Sequence, residues 1–144
     1  MSETKITHVF FDLDGTLGKV TDRKAFTREF LRGLAETLSK SIDLPISILA
    51  KIPIEIIEDM RKNPPLKRTI MEEFCLRVGG MFQKSPDEIR DLVTEFYEKR
   101  FPKLRMFYQK VEGARDILEE LIDAGYKVGI LTDPITSTSA VLMR

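Results

Sequence analysis

Val9-Phe10-Phe11-Asp12-Leu13-Asp14-Gly15-Thr16-Leu17 decides the reading of this chain, because an apolar run ends there in two carboxylates and a glycine turn. Ile6 to Phe11 reads as a buried strand. Side chains alternate along extended backbone, so Asp12 and Asp14 share one side while Leu13 turns away to pack. In open α/β sheets, ligands bind beyond the carboxyl ends of the strands, and Gly15 lets the chain turn there. Two carboxylates facing one pocket suit a divalent cation and a phosphoryl group. Asp12 is the candidate nucleophile and Asp14 the candidate general acid and base. Thr16 is a candidate phosphate ligand at the same turn, beside its ordinary role of satisfying local backbone groups. An EF-hand loop does not fit, since Gly15 follows Asp12 too closely.

Composition narrows the alternatives. With 144 residues, 42% hydrophobic and 32% charged, the chain holds one ordinary domain, or a small one with an insertion. Its 23 basic residues balance 23 acidic ones, so no global field favours nucleic acid or an anionic membrane. No apolar run is long enough to span a bilayer and the amino terminus lacks signal-peptide order, which makes a cytoplasmic location the expectation. Cys75 is the single cysteine and reads as a buried, inert thiol on a helix with Ile70, Met71, Phe74 and Val78. His8 is the single histidine and reads as structural. The chemistry therefore falls to carboxylates and hydroxyls.

Residues 18 to 110 read as helices without a convincing strand. Phe26, Phe30, Leu34 and Leu38, with Leu31 and Ala35, form a stripe over about residues 24–40. Pro53 opens a helix carrying Ile54, Ile57 and Met60, and Asn63-Pro64-Pro65 ends it. Leu66 to Val78 forms the next helix, with Gly79-Gly80 as its expected end. Ser85 then caps a helix with Pro86 in first position and Glu88 reaching back to the cap amide, its apolar face being Ile89, Leu92, Val93, Phe96 and Tyr97. This segment is expected to pack as a helical bundle. The cationic residues Lys19, Arg23 and Lys24 near the first turn read either as solvated charges or as groups facing the site.

After Val111 the pattern changes. Gly113 to Ala124 is a helix with Ile117, Leu118, Leu121 and Ile122 inward, ended by Gly125. Tyr126 to Leu131 is a second buried strand. It runs into Thr132-Asp133-Pro134, where Asp133 caps and Pro134 begins another helix. A βαβ crossover makes the two strands parallel and brings Asp12 and Thr132 to one sheet edge. Thr132 and the amides of the following helix then suit a phosphoryl oxygen.

Phe-Phe-Asp-Leu-Asp-Gly-Thr-Leu at 10 to 17 resembles the first motif of the haloacid dehalogenase superfamily of hydrolases, and Gly129-Ile130-Leu131-Thr132-Asp133 resembles its second. The resemblance implies an α/β fold: a partial Rossmann-like parallel core from residues 1–17 and 111–144, with an all-α helical cap, 18–110, inserted after the first strand. It implies a magnesium-dependent phosphatase acting on a small phosphorylated metabolite. Asp12 is then the nucleophile and Asp14 the acid and base. Thr132, Thr16 and Gly15 bind phosphate, and the Asp12 carboxylate and the Asp14 backbone carbonyl bind the metal. Asp133 departs from the family pattern, where asparagine is common. The family's basic third motif and acidic fourth motif are expected beyond Arg144, supplied by further chain or by a second chain, and without them the 144 residues are expected to be a weak catalyst. Two other readings stand beside the phosphatase: a phosphoryl-transferring mutase, and a truncated, non-catalytic remnant or binding protein.

Overall fold

The structure is a computed structural model that describes residues 5–132. Within them β1 (His8–Phe11) and β4 (Lys127–Ile130) form a two-stranded parallel sheet, with His8 opposite Lys127 and Phe11 opposite Ile130. Main-chain bonds extend the ladder on both sides: Lys127 N–H donates to the Thr7 carbonyl at 2.9 Å, and Leu131 N–H to the Phe11 carbonyl at 2.9 Å. The second of these carries the pairing up to the residues that precede Asp12 and Thr132. The mixed α/β class and the parallel pairing expected from the βαβ pattern are present.

Most of the described chain is helical. Between the two sheet strands run β2 (Gly18–Val20), α1 (Arg23–Leu38), α2 (Ile46–Leu49), α3 (Ile52–Lys62), α4 (Ile70–Phe82) and α5 (Pro86–Lys99). A 3-10 segment, Phe101–Phe107, then leads into β3 (Tyr108–Lys110) and α6 (Ala114–Asp123). Leu34, Ala35 and Leu38 of α1 are fully buried with Phe74, Cys75 and Val78 of α4 and Ile89, Val93 and Phe96 of α5. Phe30 meets Phe96 edge-on at 5.1 Å between ring centroids, a geometry that favours aromatic pairs. Thr37, the one buried polar side chain among the core residues described, donates to the Gly33 carbonyl at 2.9 Å and so leaves no orphan group. Charge pairs tie the helices at their ends: Lys40 bonds Glu95 at 2.6 Å, Arg100 bonds Glu36, and Arg77 bonds both Glu73 and Asp59.

Several local expectations change. The segment 18–110 does contain strands, β2 and β3, paired antiparallel with Gly18 opposite Lys110. Three-residue strands give too little period-2 pattern to read, and their pairing partner lies 90 residues away. α4 starts at Ile70 rather than Leu66, because Thr69 and Glu72 form a reciprocal capping box. It also runs through Gly79 and Gly80 to end at Gln83, which takes the left-handed φ of 55°. In α3 the buried face is Ile52, Pro53, Ile56 and Met60, while Ile54 is exposed. Glu88 lies at the third position of α5, but its carboxylate takes the Ser41 hydroxyl and Lys84 instead of the cap amide. Ser85 still caps α5, accepting from Glu88 N–H at 3.1 Å.

The sheet itself is only half-buried. Val9, Phe11 and Val128 are partly covered, whereas Phe10 is 61% exposed. On α6, Leu118 and Leu121 are half-buried but Ile117 and Ile122, expected inward, are exposed. Among the described residues no element lies over that part of its apolar stripe. The expected cap at Asp133 and helix start at Pro134 fall outside the described residues.

Candidate functional site

The turn after β1 is built by its own backbone. Leu17 and Gly18 N–H both donate to the Leu13 carbonyl, at 3.1 and 3.0 Å, and Gly15 N–H donates to the Gly18 carbonyl at 2.6 Å. That closure needs φ of 91° at Gly15, in the region where an L side chain is strained. Leu13 is buried, 8% exposed, and flanking Asp12 and Asp14 stand out to solvent. The alternation expected from the sequence therefore survives into the turn. Leu13 N–H donates to Asp12 Oδ1 at 2.8 Å, which restrains the carboxylate while its other oxygen accepts no hydrogen bond among the described residues.

Asp12, Asp14 and Thr132 line one cavity of about 710 Å³. β1 and β4 bring them there, since parallel pairing ends both strands at the same edge. Gly15 and Thr16 are not part of the lining; their amides are spent inside the turn, on the Gly18 and Leu13 carbonyls. The far wall comes from the helical segment. α3 contributes Ile57, Met60 and Arg61, the loop after it Pro64, Pro65 and Arg68, and α4 its cap Thr69 and first residue Ile70. Arg23 enters from the start of α1.

Of the cations weighed from the sequence, only Arg23 reaches the cavity. Arg61 and Arg68 went unread. A signal existed for Arg61: it follows Ile57 by four residues and adjoins Met60, so it interrupts the stripe of α3 with a charge. Arg68 had none, because its approach depends on the Pro64-Pro65 turn. Arg68 lies 3.6 Å from Glu73, which is shared, since Arg77 Nε also bonds it at 2.8 Å. Arg23 and Arg61 have no ion-pair partner among the described residues.

Asp12 and Asp14 present hard oxygen donors, the type magnesium takes. Among the described residues no group of three or more histidine, cysteine, aspartate or glutamate side chains converges. The Asp12 carboxylate and the Asp14 backbone carbonyl would fit a magnesium ion that keeps waters and phosphate oxygens as its remaining ligands. Cys75 takes no part: burial pushes its thiol up to about 11, and it sits in the helical core. No helix among the described residues is long and apolar enough to cross a membrane. No protein-family model matches this chain, and no curated protein sequence matches it.

Proposed function

We propose that this chain is a magnesium-dependent phosphatase of the haloacid dehalogenase type, hydrolysing a small phosphate monoester through an aspartyl-phosphate, with residues 18–110 as a helical cap over a Rossmann-like core. The observation that carries the reading is the convergence of Asp12, Asp14 and Thr132 on one cavity roofed by helical residues. Its volume, about 710 Å³, lies in the range of small-molecule sites.

An Asp12 carboxylate oxygen attacks phosphorus, the bond from phosphorus to the ester oxygen breaks, and Asp14 gives its proton to the departing alkoxide. Asp14, now a carboxylate, takes a proton from water as that water attacks phosphorus. The acyl-phosphate bond then breaks, releasing inorganic phosphate and restoring Asp12. The Leu13 amide on Oδ1 fixes the orientation of the nucleophile. Thr132 donates its hydroxyl to a phosphoryl oxygen. The Asp12 carboxylate and the Asp14 backbone carbonyl would hold a magnesium ion, which would supply positive charge where two anions must meet.

Acid-quenched mass spectrometry of the chain, incubated with magnesium and p-nitrophenyl phosphate, tests this without relying on fast turnover. A phosphoryl group on the peptide containing Asp12 is the expected result, lost in Asp12→Asn with the circular dichroism spectrum unchanged. Phosphoryl transfer that persists in Asp12→Asn refutes the nucleophile. With a sugar acceptor added to the same incubation, a sugar-phosphate product in place of inorganic phosphate makes the chain a mutase.

A further inference from the structure

The cavity holds more positive charge than one phosphoryl group uses. Arg23, Arg61 and Arg68 arrive from three separate stretches of the helical segment, against Asp12 and Asp14 from the turn after β1. With Asp12 ionised and Asp14 carrying the proton it gives up, a magnesium ion would leave one positive charge, which together with Arg23 balances a phosphoryl dianion and leaves Arg61 and Arg68 over. Glu73 offsets one of these charges at Arg68, since its other partner Arg77 is also paired with Asp59, so Arg61 and Arg68 together keep a net positive charge. The uncharged remainder of the wall is hydrocarbon and proline, from Ile57, Met60, Pro64, Pro65 and Ile70. Thr69 and Thr132 are the only uncharged hydroxyl side chains in the described lining, and there is no amide side chain. Such a wall satisfies few of the hydroxyls of a sugar, and unpaired hydroxyls would be costly to bury.

We propose that Arg61 and Arg68 form a subsite for a second anionic group on the substrate, which is a short aliphatic phosphate monoester also carrying a carboxylate or a second phosphate. The proposal rests on the phosphatase reading for the placement of the first phosphate. Planar guanidinium groups suit both anions, since each can offer two parallel N–H donors.

Three probes share one carbon frame: phospholactate, isopropyl phosphate, in which a methyl replaces the carboxylate, and propanediol bisphosphate. Calorimetric titration of the chain in magnesium buffer should show one of the two doubly anionic probes binding about 10- to 100-fold tighter than isopropyl phosphate. Whichever binds tighter identifies the second group as carboxylate or phosphate. In Arg61→Gln and Arg68→Gln the preference should fall toward unity while isopropyl phosphate binding stays unchanged, and Arg61→Lys should restore part of it. Both side chains are solvent-exposed, so neither change threatens the fold. Equal binding of all three probes, with a phosphoryl group still trapped on Asp12, overturns the subsite and leaves the phosphatase reading standing. Arginine-dependent preference with no trapped phosphoryl group supports the subsite and overturns the hydrolysis. Failure of all three to bind overturns both.

Discussion

Gly79 and Gly80 are adjacent in sequence and opposite in consequence. A methyl group at Gly79 would sit 2.6 Å from the Lys84 carbonyl oxygen and 3.4 Å from the Pro86 nitrogen, whereas one at Gly80 meets nothing within 4 Å. Relieving the first contact requires the chain at 84–86 to withdraw by roughly 0.8 Å to reach ordinary van der Waals separation. That stretch is held, since Lys84 N–H donates to the Gly79 carbonyl at 2.9 Å and Ser85 caps α5. Overpacking of this kind costs about 1–3 kcal/mol, and the better helix propensity of alanine returns up to about 1 kcal/mol. Gly79→Ala should therefore lose about 1–2 kcal/mol, and Gly80→Ala should gain about 0.5–1 kcal/mol. Urea unfolding of the two variants, followed by circular dichroism, reads the difference as a shift in midpoint at constant slope. Gly79→Ala as stable as Gly80→Ala would refute the packing of α4 against the start of α5.

Two further outcomes follow from charge and burial. Glu36 is partly desolvated, which pushes its carboxyl up, but hydrogen bonds from Arg32 and Arg100 outweigh this and hold it below the usual range; Glu72 is lowered by the Thr69 amide. Depressed carboxyls stabilise the fold above their unfolded pKa and lose that contribution as pH falls through the folded value, so the thermal midpoint should hold from neutrality down to about pH 5 and decline below it. A midpoint that rises on acidification sinks this account of the helical ends. Cys75, with its thiol raised to about 11, should react with iodoacetamide at pH 8 at least about 100-fold more slowly than an unfolded control, and a rate near that of the control would place it at the surface.

Local chemistry was legible wherever a residue acts on its neighbours. The stripe of α1, the Ser85-Pro86 start of α5 and the Asn63-Pro64-Pro65 stop of α3 all appear as read, because capping and proline geometry involve only adjacent backbone. The end of α4 was misread for the complementary reason. Glycine is a common helix stop, but at Gly79 it is required by the close approach of residues 84–86, where the chain folds back against α4 before α5 begins. β2 and β3 escaped likewise, each being three residues long and stable only against the other.

For the site, the sequence by itself placed Asp12 and Asp14 on one side of a strand end and Leu13 in the interior, since alternation along extended backbone is a property of the chain alone. It also brought Thr132 to the same edge, through the handedness and parallel pairing of a strand, helix and strand unit. Only the tertiary structure decided that Arg61 and Arg68 stand with them. Their approach depends on how α3, the Pro64-Pro65 turn and α4 pack together, which is fixed by a core, Leu38, Phe74 and Phe96 among its members, in which neither arginine takes part, and on the β2 and β3 pairing that closes the helical segment beside the turn after β1.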